Sequence, residues 1–142
     1  MVVKEAMHNI TKVPASFNVA QAAKVMDQKI IGSVFVEENN KIIGIMTERD
    51  ILRKVVAAGR RGEELSVKEV MTSPLITIDA YAPLHEASDL LSKHKVRRLI
   101  VTEKNEIIGV ITARNVAENL KYSLAKKLHE GSGDKYGRPD FH

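Results

Sequence analysis

The sequence contains no cysteine, and aromatic residues make up only 4% of it. The first absence excludes a disulfide framework and any thiolate metal or redox chemistry. The second leaves an aliphatic core of Ile, Val, Leu, Met and Ala. No apolar run approaches the ~20 residues that a bilayer-spanning helix requires. Charge arrives at Lys4 and Glu5, so there is no apolar signal region at the N-terminus. A soluble, cytoplasmic protein with no membrane partner is expected. Glycine-rich phosphate loops of the P-loop or dinucleotide type are missing, as is a nucleophile elbow. The five histidines show no ligand-like i, i+4 spacing. Neither an enzyme nor a metal site is expected.

What is present is ordinary in amount and unusual in arrangement. The chain has 142 residues, 44% of them apolar, which suits one domain or two small units. The net charge of +4 makes contact with phosphates plausible. Both signs are interspersed, and no one-sided basic stripe with a reading helix or stacking aromatics stands out. Nucleic acid is therefore a partner the sequence permits and does not favour.

The sequence repeats itself. Val3-Lys4-Glu5-Ala6-Met7 matches Val67-Lys68-Glu69-Val70-Met71 at four of five positions, offset by 64, and residues 34–50 match 99–115 at eight of seventeen, offset by 65. The repeats cover 3–58 and 67–122, with a connector at 59–66 and a C-terminal helix end and mobile tail at 123–142. In the first, Ile10 to Val13 reads as a short extended segment halted by Pro14. Asn18 and Gln21 form a capping box. Val19, Ala22, Ala23, Met26 and Ile30 then follow at helical spacing as one apolar stripe. Ser33 to Val36 is a strand, Glu37 to Asn40 a polar turn in which asparagines tolerate positive φ, and Lys41 to Met46 the returning strand. A helix runs from Thr47 to about Ala58. The second repeat has the same order, its first helix beginning near Pro83 and its last running to about Leu128. From Gly131 the composition is turn-like. Each unit is β-α-β-β-α, an α+β fold of layered type, and two copies side by side would share a core and leave a cleft along a pseudo-twofold axis.

The doubled unit, with Gly44-Ile45-Met46-Thr47-Glu48-Arg49-Asp50 closing one hairpin and Gly109-Val110-Ile111-Thr112-Ala113-Arg114-Asn115 the other, resembles a tandem pair of cystathionine β-synthase (CBS) domains, a Bateman module. The resemblance covers residues 3–122. It implies a non-catalytic regulatory module that binds an adenosine-containing ligand, such as AMP, ADP, ATP or S-adenosylmethionine, in the cleft. No cofactor is required; the adenine nucleotide is a regulatory ligand. The resemblance further implies a homodimer and, with no effector domain in the chain, an effector protein that reads the module. It assigns Thr47 and Asp50, with their counterparts Thr112 and Asn115, to ribose or phosphate. Ile10, Lys12 and Ile31 fall around the base, and basic residues ahead of the second strand meet phosphate.

The residues themselves weigh these roles differently. Thr47-x-x-Asp50 at a strand-to-helix junction is also a helix cap. A carboxylate there repels phosphate but offers a ribose diol two acceptors. Copy two carries Asn115, which still caps but accepts with one oxygen. Arg97 and Arg98 precede the strand of copy two, where copy one has Gly32 and Ser33. One good site, pairing Asp50 with Arg97 and Arg98, is expected rather than two equal ones, and Arg49 and Arg114 are secondary candidates. The favoured reading is an energy or metabolite sensor, and two others stand beside it: a ligand-free structural or protein-interaction module, and a nucleic-acid-binding protein.

Overall fold

The computed structural model describes residues 1–73 and 75–132, the stretch beyond 121 chiefly as backbone. The fold is α+β with two sheets, in two compact units: Ile10–Leu75, and Met1–Asn9 joined to the chain from Ile76 onward. The units are not cut where the repeats are. The first nine residues pack with the second repeat, and residues 65–72 pack with the first.

In the unit Ile10–Leu75, β2 (Lys12–Pro14) runs parallel to β3 (Ser33–Glu38), which pairs antiparallel with β4 (Lys41–Thr47). Pro14 lies inside β2 rather than ending it. That strand is the sheet edge, where a proline leaves no ladder bond unmade. Helix α2 (Val19–Lys29) starts at the expected box: Asn18 Oδ1 accepts from the Gln21 amide, and Gln21 Oε1 from the Asn18 amide, each at 2.8 Å. Val19, Ala22 and Met26 are buried, but Ile30 leaves the expected stripe. The helix ends at Lys29, and Ile30 turns into the left-handed region (φ 54°), where its side chain is 91% exposed. Asn39 and Asn40 both take positive φ in the hairpin turn, as their residue type allows. After β4 comes α3 (Glu48–Ile51), which widens into a π-helical turn at Leu52–Val56.

The other unit mirrors this order. β5 (Thr77–Asp79) is parallel to β6 (Arg98–Glu103), which pairs with β7 (Glu106–Thr112). Between them lies α5 (Leu84–His94), with Pro83 at the N-cap position just outside the helix rather than within it. The long α6 (Ala113–Ser132) passes Leu128 and takes in Gly131; the rest of the expected tail, 133–142, lies outside the described residues. A fourth strand, β1 (His8–Asn9), comes from the N-terminal segment and pairs antiparallel with β7.

The leading segments α1 (Val3–Ala6) and α4 (Val67–Val70) explain the exchange. Val3 and Ala6 are buried in the aliphatic core of the second repeat, and Val67 and Val70 in that of the first. Lys4 Nζ reaches Glu103 Oε2 at 3.0 Å, and its counterpart Lys68 reaches Glu38 Oε2 at 3.1 Å. Met7 lies against Gly109 and Met71 against Gly44, so a Cβ on either glycine would run into the methionine side chain. This is the reason for the glycine in the Gly-x-x-Thr run. Among the described residues no helix is long and apolar enough to cross a membrane.

Candidate functional site

The junction of β4 and α3 is a closed polar cluster around one buried carboxylate. Asp50 Oδ2 accepts from the Thr47 amide at 2.9 Å and from Thr47 Oγ1 at 3.1 Å, while the Asp50 amide donates back to Thr47 Oγ1 at 3.1 Å. This is the capping box that the spacing predicts. Oδ1 is also engaged. It accepts from Thr72 Oγ1 at 3.0 Å and pairs with Lys54 Nζ at 3.1 Å. Lys54 Nζ in turn donates to the Val70 carbonyl at 2.9 Å. The Asp50 side chain is 11% exposed and every oxygen has two partners, so the burial of its charge is fully compensated. The Lys54 side chain, 44% exposed, is the cluster's link to solvent.

The second junction repeats the cap with different chemistry. Asn115 Oδ1 accepts from the Thr112 amide at 3.0 Å and from Thr112 Oγ1 at 2.7 Å. That leaves Nδ2, which can only donate, 2.7 Å from His8 Nε2. In that pairing His8 Nε2 is the acceptor. At an offset of 64, His8 is the counterpart of Thr72. The two differences match: a carboxylate faces a hydroxyl donor in one unit, an amide faces an imidazole acceptor in the other.

The remaining candidates divide between the units. Ile10 and Ile31 are half-buried and Lys12 is exposed, with Nζ 3.2 Å from Glu37 Oε2. Arg97 is exposed, and its carbonyl accepts from the Ala113 amide at 2.8 Å. Arg98 is half-buried and opens β6, opposite Thr112. Arg114 is an exposed first-turn residue, its Nε 2.9 Å from Glu118 Oε1. Of the expected set, the structure brings Thr47 to Asp50 and Thr112 to Asn115 by direct bonds. Lys54, Thr72 and His8 were missed. The signal for the last two lay in the aligned repeats, where position 50/115 and position 72/8 change together. Among the described residues no group of three His, Cys, Asp or Glu side chains could hold a metal ion.

The CBS domain family model matches residues 3–57 and again 67–122. The chain belongs to the CBS domain family. As a CBS pair it is 37% identical over 114 residues to the inosine-5′-monophosphate dehydrogenase of Nitrosopumilus maritimus, covering 80% of this chain and 21% of the enzyme. The chain thus spans about one-fifth of that relative, and what it matches is the CBS part. The CBS domain-containing protein YhcV of Bacillus subtilis is 31% identical over 118 residues, 82% of this chain and 84% of that protein. A solved CBS domain pair, 19% identical, shares the fold with a TM-score of 0.74 over 87% of this chain and 98% of its own; it is bound to 5′-methylthioadenosine and S-adenosyl-L-methionine.

Proposed function

We propose that this CBS pair is a non-catalytic energy or metabolite sensor, binding an adenosine-containing ligand of the AMP, ADP, ATP or S-adenosylmethionine kind in the cleft expected between its repeats. The observation that carries the reading is the Asp50 cluster, a carboxylate held rigidly by its cap with a solvent-reaching lysine on the other oxygen. A ribose diol donating to Oδ1 would take over from the Thr72 hydroxyl and the Lys54 ammonium, leaving the cap bonds to Oδ2 in place. Lys54, once released, is a cation beside the ligand's phosphate, in addition to Arg97 and Arg98. Ile10, Lys12 and Ile31 would wall the base. Thr112, Arg114 and Asn115 make the poorer site, because Asn115 spends its one acceptor oxygen on the cap and its donor on His8. The solved pair with adenosine compounds bound supports the ligand class.

Such a ligand acts only through differential affinity for two states, so a homodimer partner or an effector protein must read the change. Isothermal titration with AMP, ATP and S-adenosylmethionine tests the proposal. Saturable binding of at least one is expected, weakened at least ten-fold in Asp50→Ala. No saturable binding for any adenosine compound overturns it. The full occupancy of both Asp50 oxygens favours a second reading, a ligand-free interaction module in which the acid is only a cap. That reading predicts a stability loss of about 1–3 kcal/mol in Asp50→Ala, where Thr47, Thr72 and Lys54 all lose their partner, with no affinity to lose.

A further inference from the structure

All the sulfur of the chain is thioether, in five methionines and no cysteine. The five fall into three classes. Met26 and Met46 are 4% and 0% exposed, inside the core of the first repeat. Met1 is 44% exposed. Met7 and Met71 are half-buried and hold equivalent places in the two repeats. Each follows a leading segment, packs against the core which that segment completes, and lies on a glycine of the opposing strand. A Cβ on Gly44 would stand 2.5 Å from Met71 Sδ and 2.9 Å from its Cγ, and one on Gly109 would overlap Met7 in the same way.

The backbone beside each thioether carries the strand contact of its segment. His8 and Asn9 pair with Val110 and Gly109. Thr72 exchanges two backbone bonds with Ile45, at 2.7 and 3.2 Å. The helices α1 and α4 are four residues long, and each buries two side chains: Val3 and Ala6 in one, Val67 and Val70 in the other. A single helical turn is not stable by itself, so packing holds the segment in place. Met7 and Met71 are the oxidisable part of that packing, and solvent reaches both residues in part.

We propose that Met7 and Met71 are sites of reversible oxidation by a hydroperoxide, and that oxidation loosens the leading segments from the cores they complete. A sulfur lone pair attacks the terminal peroxide oxygen, and the S–O bond forms as the O–O bond breaks. The departing oxygen takes the proton of the transferred one and leaves as water or an alcohol. Sulfur is oxidised by two electrons and the peroxide reduced by two. The product is a polar, pyramidal sulfoxide where a flexible apolar side chain lay. The glycine side is filled, so the sulfoxide turns its dipole toward solvent and lifts the methionine off the core. A methionine sulfoxide reductase fed by a dithiol returns the two electrons, and the oxygen leaves as water. Neither methionine is placed at the nucleotide, so this proposal goes beyond the sensor reading and stands without it.

Treating the full chain with hydrogen peroxide, without nucleotide, tests the proposal. Peptide mass spectrometry follows each sulfoxide, and amide exchange follows residues 3–9 and 67–72. Met7 and Met71 are expected to oxidise well before Met26 and Met46. Exchange of both segments should then rise at least about ten-fold, as expected when one polar group displaces a packed side chain. Methionine sulfoxide reductase with dithiothreitol should reverse the rise. M7L/M71L keeps Met1 and should show no rise. Oxidation of Met26 and Met46 at the same rate overturns the proposal, as does complete oxidation of Met7 and Met71 with exchange unchanged. A response of M7L/M71L like that of wild type assigns the effect to Met1 and overturns it too. Leucine is branched where methionine is straight. If M7L/M71L does not melt cooperatively, the wild-type time course decides: exchange must rise in step with the sulfoxides of Met7 and Met71, and a rise in step with that of Met1 overturns the assignment.

Discussion

Asp50 and Asn115 occupy equivalent positions, perform the same cap, and end in different networks. The difference resides in the residue opposite. Thr72 donates to a carboxylate, whereas His8 accepts from an amide. Asp50→Asn alone removes the Lys54 ion pair and turns an amide nitrogen or a lone oxygen toward the Thr72 hydroxyl. A loss of about 1–3 kcal/mol is expected, the cost of leaving a buried polar group poorly paired. Adding Thr72→His rebuilds the pairing of the second unit, so the double variant should be more stable than the sum of the single changes by about 0.5–1.5 kcal/mol. Urea unfolding of the four proteins of this cycle measures the coupling. Strict additivity would show that the two pairs are unrelated.

At the scale of elements, the leading segments are the part that electrostatics tunes. Lys4 joins α1 to the β6–β7 hairpin through Glu103, and Tyr81 Oη donates to the same carboxylate at 2.7 Å. The Tyr81 hydroxyl, and after it the Lys4 ammonium, hold the Glu103 carboxyl below its ordinary 4.5. Glu103, followed by Tyr81, raises Lys4 above its ordinary 10.5. The signs follow from linkage. The contribution of Glu103 is present above about its ordinary value and lost as pH falls through the depressed one; that of Lys4 is present below its ordinary value and lost as pH rises through the raised one. The clasp is thus constant through neutral pH and opens in acid. Amide exchange of residues 3–9 should accelerate on acidification, relative to the intrinsic rate, in wild type and much less in Glu103→Gln, where the clasp is already weak. Because the groups are exposed, raising the salt should mimic part of the effect.

The whole molecule is a duplication whose structural units differ from its sequence repeats. Residues 3–58 contain one full copy of the repeated pattern yet lack Leu65, Val67 and Val70, which complete the core of that copy. Residues 10–75 contain them. The fragment 10–75 should therefore unfold cooperatively, while 3–58, of nearly the same size, should not, because it exposes its own core and carries an α1 with nothing to cover. Calorimetry of the two fragments checks this. Equal cooperativity would mean that the leading segments contribute little to either core.

Much of this was legible in the sequence, because it depends on neighbours along the chain. The capping boxes at Asn18 and Thr47 act over three residues, the asparagine turn over two, and the strand pairs over one hairpin, so local spacing determined them. Comparing two copies within one chain exposed the duplication, and the repeated Gly-x-x-Thr run carried the resemblance to the CBS family that the family model bears out. Contacts that join residues far apart in the sequence were decided only in the tertiary structure. Nothing local distinguishes Met7 packed on its own repeat from Met7 packed on Gly109, and the apolar spacing that puts Ile30 in a stripe does not contain the left-handed turn that takes it out. The acid at position 50 could be read as a cap from its threonine, but Lys54 and Thr72 close its second oxygen through space. Periodicity encodes which face of an element is apolar; which partner covers that face is a property of the packed chain.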